Sequence, residues 1–262
     1  MKKILFFSYK GGVGRSLAVC NVAASLCRKG FRVGIVDFDV EAPSIHIHLK
    51  SILPSGWIYD EMAPDILTLL KSDFEPSPKD IKDAAIQLTI PIKKGSCILL
   101  PCFGRENDLE DLELNWREKV GSMEKIFEMF ADVFKLDFIL VDSRTGYSQQ
   151  AILAAFNVDQ VIAISRADEV SLLGMKLMID IFRDRPMEKI HLIITGMPND
   201  ISPNDPRIKK FAKALEMSGK EICIPYVSDW YFGGSVLWKN KDNFLILKLF
   251  DRLTSKILKE SE

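Results

Sequence analysis

Apolar residues in this chain recur in two patterns that alternate from end to end. Short, nearly unbroken apolar runs occupy Ile4–Phe7, Phe31–Phe38, Cys97–Pro101, Phe138–Val141, Gln160–Ile164, Ile190–Thr195 and Glu221–Ile224. Runs of this length without polar alternation suit parallel strands covered on both faces. Between them lie stretches with helical spacing: Leu17–Leu26, Leu109–Phe134 with an interruption at Gly121, Leu172–Phe182, Arg207–Met217 and Asn243–Leu258. The first of these closes on Arg28-Lys29-Gly30, cations followed by a C-cap glycine. Strands alternating with helices predict an α/β fold: a doubly wound, mainly parallel sheet with helices on both faces. One domain over residues 1–262 accommodates the pattern. Residues 51–84 stand apart. Pro54, Pro64, Pro76 and Pro78 mark an irregular, insertion-like region with one short helix near Asp65–Lys71. There is no internal repeat, low-complexity tract or interdomain linker.

Candidate chemistry gathers where strands end, which is where open α/β sheets bind ligands. The first strand runs into Ser8-Tyr9-Lys10-Gly11-Gly12-Val13-Gly14-Arg15-Ser16 and then directly into a helix. Strand, glycine-rich turn, helix is the context of a phosphate-binding loop. Glycines let the backbone turn sharply and approach a ligand, and the loop N–H groups with the helix N-terminus favour an anion. Ser16 would offer a hydroxyl to Mg²⁺. The usual pattern is G-x-x-x-x-G-K-[ST]; here Tyr9 replaces its first glycine and Arg15 its lysine. Arginine is a planar fork rather than a point charge, so phosphate binding is better supported than turnover. The second strand ends in Asp37-Phe38-Asp39. The run Phe138–Val141 ends at Asp142, a Walker B arrangement that holds Mg²⁺.

The segment Lys10-Gly11-Gly12-Val13-Gly14-Arg15-Ser16 resembles the deviant Walker A loop of the ParA/MinD ATPases, K-G-G-x-G-K-[ST], and most of all their branch that reads K-G-G-V-G-R. Val141-Asp142-Ser143-Arg144-Thr145-Gly146 resembles the family's switch II, and Asp37-Phe38-Asp39 its switch I. The resemblance implies a P-loop NTPase binding ATP and Mg²⁺. Gly11, Gly12, Val13, Gly14, Arg15, Ser16 and Leu17 would hold the phosphates, with Gly146 near the γ-phosphate. Ser16, Asp37 and Asp142 would serve the metal, and Asp39 would position the attacking water. Lys10 would cross to the partner's nucleotide in an ATP-assembled C2 dimer. By the same resemblance Asn199 and Pro225 are the adenine candidates; the bland alternative for Asn199 is an ordinary Asn-Asp turn.

Composition adds limits. The apolar fraction, 47%, is ordinary, and the net charge of −1 provides no global field toward nucleic acid or membrane. A local basic face, and with it nucleic-acid binding, stays open. The five cysteines form no C-x-x-C pair and sit mostly in apolar runs, as thiols of a reducing compartment do. With no signal peptide or membrane-length apolar run, the cytoplasm is the expected location. His46 and His48 diverge on a helix and lack further ligands, so no metal site is expected there. In the last helix Ile246, Leu249, Phe250, Leu253 and Ile257 form one stripe with Lys248, Arg252, Lys256 and Lys259 largely off it. That pattern suits a membrane-docking helix or a helix covering the sheet. Glu260-Ser261-Glu262 would be repelled by anionic lipid, so core packing is expected. Three functions remain in view: an ATP-hydrolysing dimerisation switch acting on an unidentified protein partner, an ATP-bound regulatory dimer that does not hydrolyse, and a scaffold on a DNA or membrane surface.

Overall fold

The computed structural model describes residues 1–71, 74–91, 94–104, 116–183, 189–219, 221–226 and 244–259. Eight strands form one sheet: β1 Lys2–Phe7, β2 Arg32–Phe38, β3 Ile86–Gln87, β4 Ser96–Leu100, β5 Phe138–Ser143, β6 Gln160–Ser165, β7 Lys189–Met197 and β8 Glu221–Pro225. Their order is β3-β4-β2-β5-β1-β6-β7-β8. All neighbours are parallel except β3 against β4. The sheet is wound in two directions away from β1, and this leaves a crevice beyond its carboxyl end.

The continuous apolar runs are explained by burial on both sides. In β1, Leu5 and Phe7 feed one core cluster, while Ile4 and Phe6 feed the other. In β2, Val36 and Phe38 face the first cluster, and Val33 and Ile35 the second. Helices α1 (Arg15–Arg28) and α9 (Phe244–Lys259) cover one face. Helices α5 (Lys119–Phe134), α6 (Gln149–Phe156), α7 (Glu169–Arg183) and α8 (Pro206–Ala214) cover the other.

Several expectations need correction. The segment 51–84 is irregular over residues 53–65 and holds the expected short helix as α3 (Ile66–Leu69), but it also holds a second helix, α4 (Pro78–Ala84); each has a capping box. Ile66, Leu67, Leu69, Ile81 and Ala84 are buried in the first core cluster. The helix expected from Leu109 begins at Lys119 among the described residues, and residues 109–115 lie outside them. Gly121 does not interrupt it, because the stripe Met123, Ile126, Phe127 and Phe130 is buried and carries the helix through. Helices α2 (Ile45–His48) and α6, and the edge strand β3, add to the expected elements.

The final helix packs inward. Phe250, Leu253 and Ile257 are buried with α1 residues in the second cluster, and Leu249 packs against it half-buried. Ser25 and Arg28 of α1 meet Asp251 across this contact. Among the described residues no helix is long and apolar enough to cross a membrane.

Candidate active site at the carboxyl end of the sheet

Register brings the carboxylates together. Asp37 of β2 stands beside Asp142 of β5, and Asp142 stands beside Phe6 of β1, just before the glycine loop. Gly12 and Gly14 have φ of 70° and 85°, values that favour glycine, and they bend the chain from β1 into α1. No side chain caps the N-terminus of α1, and its first turn carries no acidic residue. Its N–H groups are thus left to an anion.

Arg15 is the centre of the site. Its guanidinium is 6% exposed and held by three residues. Nε donates to Asp142 Oδ1 at 2.5 Å, Nη2 donates to Asp39 Oδ2, and Nη1 reaches Ser8 Oγ at 3.4 Å. The structure therefore brings Arg15, Asp39 and Asp142 into mutual contact. Burial by itself lowers the Arg15 pKa, and the charges of Asp142 and Asp39 more than restore it.

Asp37 is committed to the turn that follows β2. Oδ2 accepts from the Ser44 and Ile45 N–H groups at 3.0 Å each, and Oδ1 from Asp39 N–H at 3.3 Å. Ser16 Oγ lies 3.3 Å from Ser44 Oγ. Asp142 is fully buried, and its Oδ2 has no hydrogen-bond partner. An unmatched buried carboxylate oxygen beside a second acidic group, with a hydroxyl near by, is a donor set that fits a hard cation. Among the described residues no group of three or more His, Cys, Asp or Glu side chains could hold a metal unaided. A cation here would also need oxygens from its ligand.

Burial, then the charge of Asp142, pushes the Asp37 carboxyl well above the ordinary range. Burial also raises Asp39 in spite of Arg15. Both groups hold a proton more tightly folded than unfolded. Their stabilising contribution is complete below the ordinary aspartate value of 3.8 and is lost as pH rises through the folded values. Asp37→Asn is therefore expected to flatten the fall of stability as pH rises above 3.8 in the ligand-free protein. Urea unfolding at a series of pH values checks this; parallel curves for the two proteins would contradict it.

Lys10 is folded back within its own chain, with Nζ 2.8 Å from Asp168 Oδ1. Burial tends to raise the Asp168 carboxyl, yet Lys10 and the N–H and hydroxyl of Ser171 hold it down to about 2. Tyr9, in place of the usual glycine, lays its ring against Gly174 of α7. A Cβ on Gly174 would come within 2.1–2.2 Å of the ring carbons.

Beyond the loop lies a cavity of about 840 Å³. Gly11 to Leu17, Asp39 and Pro225 line it; Asn199 is not among its lining residues and is exposed in a turn. Gly146 donates its N–H to Ser8 O at 3.0 Å, which ties the segment after β5 to the loop. The wall also contains Glu41, Arg144, Arg166, Thr195, Tyr226 and His48, which the sequence reading missed. Thr195 Oγ1 donates to Val13 O at 2.8 Å, and Arg166 reaches Gly12 O at 3.5 Å. Three of these six, Arg144, Arg166 and Tyr226, directly follow a strand, so their places beyond strand ends were a usable signal; their side-chain directions were not. Glu41 and Arg144 form an ion pair across the cavity mouth, at 38% and 35% side-chain exposure. Half-exposed pairs of this kind contribute only about 0–1 kcal/mol.

The family model described as "ParA: NUBPL iron-transfer P-loop NTPase" matches residues 1–223. An iron-sulfur cluster carrier protein of Clostridium perfringens is 27% identical over 65% of this chain and 55% of its own length. The cytosolic Fe-S cluster assembly factor NUBP1 homolog of Brugia malayi is 26% identical over 98% of this chain and 81% of its own. Against the carrier proteins of C. perfringens and Pyrococcus furiosus, the chain spans 55% and 60% of their length. Among solved structures, a chain of the MinC:MinD cell division protein complex of Aquifex aeolicus superposes with a TM-score of 0.73 at 16% identity, covering 99% of this chain and 96% of that one. A putative plasmid partition protein of Borrelia burgdorferi bound to AMPPNP gives 0.73 at 20% identity, covering 98% and 99%. These structures share the α/β fold. The matched model takes in every site residue named above except Pro225 and Tyr226, and it carries the general expectation of nucleotide and Mg²⁺ binding and of ATPase activity: the chain belongs to the ParA family of P-loop NTPases.

Proposed function

We propose that this chain is an Mg²⁺-dependent ATPase that works as a dimerisation switch through a deviant Walker A loop. The observation that carries the reading is the convergence of Arg15, Asp39 and Asp142 in front of an uncapped helix N-terminus. ATP phosphates take the loop and α1 N–H groups, and Arg15 turns from the carboxylates to the phosphates, where its fork binds bidentately. That move frees Asp39 to orient water and Asp142, with Ser16, to face a cation; Asp37 fixes the turn that carries Asp39. Mg²⁺, when bound, supplies neutralising charge on the phosphate oxygens. Pro225 and Tyr226, which line the cavity, are read as receiving the base.

The reading extends to a homodimer in which Lys10 leaves Asp168 and reaches the partner's nucleotide. Lys10→Ala in an Asp39→Ala background, which suppresses turnover, is expected to bind ATP and stay monomeric, whereas Asp39→Ala alone dimerises. Light scattering with and without ATP reads this; a dimer that survives the Lys10 change would remove the cross-subunit role.

A second reading has its own observation. Asp39 and Asp142 are both bound by Arg15, and an arginine that holds them through the nucleotide-bound state would give an ATP-dependent regulatory dimer that barely hydrolyses. Single-turnover assays on wild type and Asp39→Ala separate the two: equal background rates would leave only the regulatory dimer. The surface-scaffold reading draws no support from α9, whose apolar stripe is buried.

The relatives' names speak of iron–sulfur clusters, which are held by accessible cysteine thiolates. All five cysteines here are buried and outside any disulfide, and burial pushes the Cys20 and Cys97 thiols well up. None of the thiols in this sequence is placed to ligate a cluster. They suit the reducing cytoplasm, and the switch is read as serving a protein partner.

A further inference from the structure

Two arginine–carboxylate pairs span the gap between the ends of β2 and β5, at different depths. The deeper one joins Arg15 to Asp39 and Asp142 and is nearly closed to solvent. The outer one joins Arg144 to Glu41, and both of its side chains line the cavity. Asp39 and Glu41 are two residues apart, and so are Asp142 and Arg144, so the carboxyl ends of β2 and β5 contribute to both pairs.

The backbone around Arg144 is fixed. Ser143 Oγ lies 3.1 Å from Phe6 O and 3.2 Å from Arg144 O. Gly146 N–H is bonded to Ser8 O of the glycine loop. The side chain, in contrast, is 35% exposed, and among the described residues its partner is the half-exposed Glu41 carboxylate. A solvent-screened pair of this kind is weak and easily exchanged for a stronger anion. Arg144 therefore combines a rigid base beside the glycine loop with a guanidinium free to swing.

We propose that Arg144 is a catalytic residue that neutralises charge on the transferring phosphoryl group, and that Glu41 holds it at the cavity mouth until nucleotide arrives. The proposal rests on the ATPase reading above. In the reaction a water oxygen forms a new bond to the γ-phosphorus. The bond from that phosphorus to the β–γ bridging oxygen breaks, and its electron pair stays on ADP. The water's proton leaves through Asp39 to solvent. Negative charge spreads over the equatorial oxygens during transfer, and a second guanidinium placed there acts more strongly in the transition state than in the ground state. Arg15, engaged with the β- and γ-phosphates in both states, leaves that role open.

The test compares binding of Mg-ADP with binding of Mg-ADP plus fluoroaluminate, whose planar AlF₄⁻ stands in for the phosphoryl group in flight. Wild type is expected to bind ADP at least about 100-fold more tightly when fluoroaluminate is present. Arg144→Ala is expected to bind Mg-ADP within about threefold of wild type, which also shows that it is folded, but to lose most of that gain. Its single-turnover hydrolysis falls by about 10³-fold, and Arg144→Lys recovers part of both effects. Glu41→Gln keeps the full gain, because the arginine remains and only its restraint is lost. Equal gains in wild type and Arg144→Ala overturn the proposal. So does a wild type that binds Mg-ADP yet shows no gain, and that result leaves nucleotide binding standing. A wild type that binds no adenine nucleotide takes down the ATPase reading and this proposal together.

Discussion

Leu253→Asp is expected to leave the protein unfolded at room temperature. Leu253 is 1% exposed, on the face of α9 that packs against α1. The change forfeits about 1.5–3 kcal/mol of apolar burial. It also places a carboxylate among Phe250, Ile257 and the α1 side chains, at a cost of several kcal/mol more. The sum rivals the whole stability of an ordinary domain, about 5–15 kcal/mol. Leu253→Ala should stay folded but lose about 2–5 kcal/mol. Circular dichroism and urea unfolding measure both variants. A folded Leu253→Asp protein would contradict the packing of α9, and so would ATP-dependent pelleting of wild type with anionic vesicles.

Arg15→Ala should fail on two counts at once. Loss of the guanidinium removes a charge-assisted contact to phosphate worth about 2 kcal/mol or more, roughly a 30-fold loss of ATP affinity. In the ligand-free protein it leaves Asp39 and Asp142 buried without their counter-charge, which costs about 3–5 kcal/mol. Arg15→Lys keeps one cation and is expected to retain ATP binding while raising turnover, since a compact ammonium cannot hold two carboxylates as a fork does. Nucleotide titration and urea unfolding separate the two effects. An Arg15→Ala protein that binds ATP as tightly as wild type would make the phosphate-loop assignment wrong.

The sheet was legible because its strands are buried on both sides, and double burial writes itself as unbroken apolar runs such as Phe138–Val141. The loop was legible because Gly12 and Gly14 need backbone angles that other residues avoid. What escaped the sequence reading has physical reasons too. Helix α4 begins Ser77-Pro78-Lys79-Asp80, a capping box with proline in the first turn. That signal was present, and the surrounding prolines hid it. The pair Ile86–Gln87 is too short for any period to show. Helix α5 passes Gly121 because tertiary burial outweighs the roughly 1 kcal/mol that a mid-helix glycine costs. In the site, residue types and strand ends were readable, but the partners of Arg15 were not. The same arginine suits a phosphate or two carboxylates, and only the register that sets Asp37, Asp142 and Phe6 side by side decides which groups stand within its reach.

The ring of Tyr9 resting on Gly174 has a consequence for how such a sequence can change. The standard loop keeps a glycine at the position of Tyr9, and here the bare backbone appears instead in the middle of α7. The two positions form one steric unit although 165 residues separate them. A side chain at 174 requires the ring at 9 to be lost or moved aside first, while the ring can be lost at any time. The order of substitutions is thereby biased in one direction. For as long as the ring keeps this place, the helix position beneath it favours glycine.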